Sequence, residues 1–318
     1  MEVQHVRNGL IVGLVVAMGF GTFGSSASLA APVGYETVYE ENFSTTYGNV
    51  GGFNPDDWQY QELGGRRDAT NVQDAVSVGN GKLTIRTYTN NGNHYTTMVR
   101  SKKTWTHGYF ESSIRFKGDP GMWSAFWLYR NTIWSDDAYS VPGRSPATSG
   151  VEVDIVEHHT AGWRQPNNSS SVSNSINTAL HWDGYGANHK VAGKVTSIPN
   201  LYDGEFHTYA AEWLPDGYKL FVDGVEIWDT RDNSASDGND TAGIVSQVAQ
   251  FIILSSEVQD NTWVGMIPSG GYGLRGAASN PTMEVDWVRV SQLAAVPEPG
   301  TIGLAAVGAL GLLARRRR

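Results

Sequence analysis

Gly150-Val151-Glu152-Val153-Asp154-Ile155-Val156-Glu157-His158 is the stretch on which the reading of this chain turns. Val151, Val153 and Ile155 alternate with Glu152 and Asp154, the period-two pattern of a strand with one apolar and one acidic face. Three carboxylates in six residues are costly, because like charges at close range resist joint ionisation. Strict alternation would place Val156, not Glu157, on the acidic face. One extra residue, a β-bulge, returns Glu157 to that face, and bulges cluster near active sites.

With the bulge, Glu152 and Glu157 lie about four strand rises apart, roughly 13 Å between Cα atoms. Side chains leaning inward bring the carboxyls to roughly 5–6 Å, where one carboxylate can attack an anomeric carbon while the other protonates the leaving oxygen. Asp154, between them, can hold the charge and orientation of Glu152. The plain alternative is a solvated acidic edge strand with scattered ion pairs.

Glu152-Val153-Asp154-Ile155-Val156-Glu157 resembles the E-x-D-x-x-E signature of glycoside hydrolase family 16, in the bulged form of its laminarinase-like and agarase-like members. Four further runs resemble the same family in the same order: His107–Arg115, Gly121–Leu128, Phe206–Gly217 with Phe221–Gly224, and Met283–Val290. Together they span roughly residues 36–292. Ser124 departs from the pattern, standing where many relatives have Pro, and so bears on the shape of a nearby subsite.

The resemblance implies an all-β fold: a two-sheet antiparallel β-sandwich, a jelly roll of the concanavalin A-like kind. It implies a retaining endo-β-glycosidase with Glu152 as nucleophile, Glu157 as general acid and then base, and Asp154 tuning Glu152. The lead substrate is β-1,3-glucan or a mixed-linkage glucan. Algal galactans (agarose, porphyran, carrageenan), transglycosylation, and a non-catalytic carbohydrate-binding matrix protein stay open as alternatives. No cofactor is expected for catalysis. Relatives often use an Asp on the last strand for a structural calcium on the convex side, which makes Asp286 the candidate metal ligand.

A polysaccharide cleft needs aromatic faces for sugars. Trp123, Trp127, Trp134, Trp163 and Trp182 are the candidates, with core packing the alternative for each. Trp123 and Trp127 share a strand face with Ala125, whereas Phe126 faces away. Trp134 and Trp163 flank the acidic strand in loops. His181, in Ala179-Leu180-His181-Trp182, matches a family segment near the catalytic acids and is a substrate-binding candidate. His158 and His159 point to opposite faces of a strand, which argues against a catalytic zinc. Glu212 and Trp213 read as framework near the cleft.

Composition agrees. The 318 residues include 37 glycines and only 17% charged residues, as many short strands joined by tight turns require. Turn signals recur at Gly79-Asn80-Gly81, Pro215-Asp216-Gly217 and Asp223-Gly224, about the spacing of a sandwich. The absence of Cys excludes disulfides and thiolate chemistry. Net charge is −9, and the tail contributes +3 through Glu298 and Arg315–Arg318, which leaves the body near −12. Such a body disfavours nucleic acid as a partner.

Three segments follow. Residues 1–30 read as a signal peptide, with Arg7, an apolar run from Leu10, and small residues before Ala31. Residues 31–292 form the sandwich domain. Residues 293–318 resemble a PEP-CTERM sorting tail: Val296-Pro297-Glu298-Pro299-Gly300, the apolar run Thr301–Ala314, then four arginines. That run is short for a permanent span, which takes about twenty residues. The expectation is an exported, extracellular or cell-surface monomer, transiently associated with the membrane and handled by exosortase-type sorting machinery.

Overall fold

Two-residue turns with positive φ set much of the strand order. In a computed structural model that describes residues 31–133, 144–160, 174–232, 235 and 239–295, Asn80 and Gly81 sit at φ 54° and 71°. That pair closes the strand Val76–Gly79 on Lys82–Arg86 with Gly79 opposite Lys82, the primed turn that matches strand twist. Asp223 and Gly224 do the same between Gly217–Val222 and Val225–Asp229, at φ 48° and 76°.

The strands in chain order are β1 (Tyr35–Glu41), β2 (Trp58–Tyr60), β3 (Gly64–Arg66), β4 (Ala69–Asn71), β5 (Val76–Gly79), β6 (Lys82–Arg86), β7 (Tyr88–Asn90), β8 (Asn93–Thr96), β9 (Met98–Ser101), β10 (Gly108–Lys117), β11 (Met122–Tyr129) and β12 (Glu152–His159). They continue as β13 (Ser175–Trp182), β14 (Lys190–Ser197), β15 (His207–Leu214), β16 (Gly217–Val222), β17 (Val225–Asp229), β18 (Phe251–Val258) and β19 (Thr282–Leu293). One short helix, Pro146–Ser149, precedes β12 and carries a capping box from Ser145 and Thr148.

Two large antiparallel sheets result. One runs β17-β16-β15-β10-β19-β6-β5, with β1 also on β19; the other runs β14-β13-β12-β11-β18-β9-β2. The two-sheet jelly roll expected from sequence is therefore present. A third, four-stranded sheet, β3-β4-β8-β7, goes beyond that expectation, and its β4–β8 pair is parallel.

The core lies between the large sheets. Phe110, Ile114, Val285 and Val288 from one meet Phe126, Leu128, Val153, Ile155, Val156, Leu180 and Leu254 from the other. Burying each such side chain stabilises the fold by about 1.5–3 kcal/mol. Trp182 belongs to this core, so the sugar-binding candidacy it held from sequence gives way to packing. Trp213 is also core, with its Nε1 donating to the Ser246 carbonyl at 3.0 Å. Trp213 and Glu212 sit on β15 of the opposite sheet, where they serve as framework.

Candidate active site

The bulge in β12 is where the alternation predicted it. Against β11, Val156 pairs with Phe126 and Asp154 with Trp127, so Ile155 is the extra residue. The register against β13 shifts at the same place. Ile155 and Val156 both enter the core, while Glu152, Asp154 and Glu157 all line one cleft. That cleft crosses the outer face of the seven-stranded sheet and holds about 1120 Å³.

Strands β11, β13, β14 and β18 of the same sheet also line the cleft. Trp123, Ala125 and Trp127 of β11 face it together, as the alternation implied, and form a second apolar cluster with Phe251 and Ile253 of β18. Trp127 Nε1 donates to Ser255 Oγ at 3.0 Å. Trp123 is pinned between Trp263, 5.4 Å away, and the guanidinium of Arg67, 4.9 Å over its ring. Ser124 points away from the cleft and shares a 2.7 Å hydrogen bond with Ser256 between the sheets, so its substitution for Pro does not touch a subsite directly. Trp134 and Trp163 lie outside the described residues.

His181 stands opposite Glu152 in the β12–β13 register. Its Nε2 is 3.2 Å from Asp154 Oδ2, and its Nδ1 is 3.0 Å from Nε2 of His189. The two imidazoles are stacked at 3°, and Tyr185 stacks on His189 at 27°. Tyr185 donates a short hydrogen bond to Glu152 Oε2. His158 and His159 do point apart: His158 stacks on Phe116 inside, and His159 meets Trp263 on the cleft side.

Burial sets the electrostatics. Desolvation, then the Asp154 charge, pushes Glu152 up to about 8, against the opposing pull of His181 and the Tyr185 hydroxyl. Asp154 is pushed up to about 8 by desolvation and by Glu257. Glu157 is raised well above the usual carboxylate range, first by desolvation and then by Asp154. Among the described residues no side chain donates to Glu157, whereas Tyr185 donates to Glu152. Tyr185 thus favours the ionised form of Glu152, whereas Glu157, without such a donor, holds its proton more readily.

Sequence reasoning missed several residues here. Glu257, on β18 opposite Trp123, is a fourth carboxylate in the cleft and is itself buried. Arg66 clamps it with two hydrogen bonds of 2.9 and 3.1 Å, and Arg67 adds a third at 2.6 Å. Tyr185, His189 and Trp263 were also not singled out. Asp286 is the bulged residue of β19, between Val285 and Trp287. It belongs to no cluster of three or more acidic or histidine ligands among the described residues, so a calcium there would have to rely on backbone carbonyls.

The family profile for glycosyl hydrolases family 16 matches residues 64–289, and that for the PEP-CTERM protein-sorting motif matches residues 295–318. The tail motif indicates export by a sorting pathway. A beta-glucanase from Rhodothermus marinus is 28% identical over 231 residues, 66% of this chain and 70% of its own. Porphyranase B from Zobellia galactanivorans superposes with a TM-score of 0.61 at 19% identity, covering 82% of this chain and 94% of that one. A laminarinase from a Flavobacterium species gives 0.56 at 20% identity, covering 81% and 100%. With a match across most of its length and the acid strand in place, this chain belongs to glycosyl hydrolase family 16.

Proposed function

We propose that the protein is an exported endo-β-glycosidase that hydrolyses a β-linked polysaccharide with retention, by double displacement. The observation that carries this reading is the bulge that gathers Glu152, Asp154 and Glu157 on the floor of one open cleft. Glu152 attacks the anomeric carbon, and the Tyr185 hydroxyl favours its ionised form. Glu157 protonates the departing glycosidic oxygen and then deprotonates the water that releases the sugar. Asp154 separates the two acids and orients Glu152.

β-1,3-Glucan or mixed-linkage glucan is the lead substrate, supported by the beta-glucanase relative and the laminarinase likeness. The likeness to porphyranase B favours testing algal galactans beside it. Incubation with laminarin, lichenan, agarose, porphyran and carrageenan, with reducing ends counted, separates these readings. Proton NMR of the first product tests stereochemistry: initial release of the β-anomer supports retention, and release of the α-anomer refutes it. Absence of cleavage on every polymer, with binding to one, would favour a carbohydrate-binding matrix protein. Removal of residues 1–30 on export, processing of the tail by an exosortase-type enzyme and a monomeric state complete the proposal. A calcium at Asp286 would show as a melting temperature lowered by chelator.

A further inference from the structure

We propose that Glu152, Asp154 and His181 form a binding site for a divalent ion of the zinc class, whose occupancy shuts the cleft to substrate. The three offer ligand atoms that all lie within 4.8 Å of one another. Tetrahedral zinc with bonds of about 2.1 Å sets its ligands about 3.4 Å apart. His181 Nε2 and Asp154 Oδ2, at 3.2 Å, are already at that spacing. Only Glu152 must draw in, by up to about 1.4 Å, within the reach of its side-chain torsions.

An independent observation points to a ligand. Asp154 is 4% exposed, and its Oδ2 accepts no hydrogen bond although it faces His181. A buried carboxylate oxygen without an aligned donor is costly, and a cation bridging it to His181 Nε2, 3.2 Å away, removes that cost. The imidazole is prepared for the same task. His189 Nε2, 3.0 Å from His181 Nδ1, occupies the outer nitrogen and leaves Nε2 to the ion, the arrangement by which metal-bound histidines are oriented. One imidazole with two carboxylates suits zinc better than magnesium or calcium, which prefer all-oxygen shells. The fourth position opens into the cleft, where a polysaccharide would lie. An ion there ties up Glu152, so the nucleophile and the ion exclude one another.

The ion site rests on the same acids as the proposed hydrolysis, but its binding is measured without turnover, which keeps the two readings apart. Zinc chloride is titrated calorimetrically into the untagged full chain, with magnesium and calcium chloride as controls. One zinc per chain is expected, not displaced by the controls, with a melting temperature raised by several degrees. His181→Ala and Asp154→Asn should each weaken the binding at least tenfold. If one of them fails to fold by circular dichroism, the other decides. His207→Ala should change nothing, and it controls for the exposed His207–Asp203–Asp223 group. No saturable zinc binding, or binding untouched in the folded variants, overturns the site. On a polymer that the chain cleaves, saturating zinc should cut the rate at least tenfold and a chelator should restore it. Zinc binding without that loss overturns the exclusion of substrate, whereas zinc binding by a chain that cleaves no polymer counts against the hydrolase reading alone.

Discussion

Tyr185 reaches back from the turn after β13 and donates its phenolic hydrogen to Glu152, the acid that stands opposite His181 in the adjoining strand. The same ring stacks on His189, so Glu152, the imidazole pair and the tyrosine form one packed unit. A carboxylate deep in a cleft is thereby kept easier to ionise than its burial alone would allow.

Replacing Tyr185 with Phe removes that donor. A hydrogen bond to a charged group contributes about 1.5–3 kcal/mol, and 1.36 kcal/mol is one pH unit. The acid limb of kcat/KM against pH, where Glu152 loses its proton, should therefore move up by about 1–2 units. A limb that stays in place would remove Tyr185 from the mechanism.

The same cluster weakens the fold at alkaline pH. The Glu152 carboxyl stands at about 8 in the folded chain against an ordinary 4.5, so the folded state binds its proton more tightly than the unfolded one. Its contribution to stability is complete below about pH 4.5 and is lost as pH rises through about 8. Glu152→Gln cannot ionise. Its melting temperature should exceed the parent's by about 2–5 °C at pH 8.5, at about 2–4 °C per kcal/mol, and equal it near pH 4.5. A gap that widens towards acid would reverse the sign of this argument.

Truncation of either flanking acid should leave the fold and abolish the chemistry. Glu152→Ala and Glu157→Ala are each expected to lower kcat by about a thousandfold or more, since each loses a group that acts on the reacting bond. Steady-state rates on the polymer the parent cleaves, alongside circular dichroism, measure both. A folded variant that keeps a tenth of the activity would refute the assignment.

Arg66→Ala tests the fourth carboxylate. Glu257 is 7% exposed at its side chain and Arg66 17%, and removing one partner of a buried pair costs about 3–5 kcal/mol because the other charge is stranded. Arg67 offsets part of that cost. The melting temperature should fall by about 6–15 °C, and the paired Arg66→Met, Glu257→Leu variant should recover most of it. Equal losses in the single and double variants would argue against a stranded charge.

Local pattern carried much of this site, and distant pairing carried the rest. The alternation of Val151–Glu157 held enough information to place the bulge, and the Asn80-Gly81 and Asp223-Gly224 turns announced their hairpins. Trp123 and Trp127 fell on one face by parity alone. Trp182 has the same chemistry, but its place in the core beside Leu180 depends on which side of β13 meets the second sheet. Glu257 ends a strand buried throughout, and its role follows from Arg66 and Arg67, about 190 residues earlier. Nothing local pairs them. The third sheet was hidden for the same reason: its strands have three or four residues, too few to show a period, and its parallel pair depends on long-range register.

An inserted residue also bends the ribbon that carries it. In β12 the extra residue, Ile155, falls between the first and last acids and returns Glu157 to the face of Glu152 and Asp154. On the hydrolase reading, a single backbone irregularity then sets the spacing of the two flanking acids, and removing it would turn Glu157 out of the cleft.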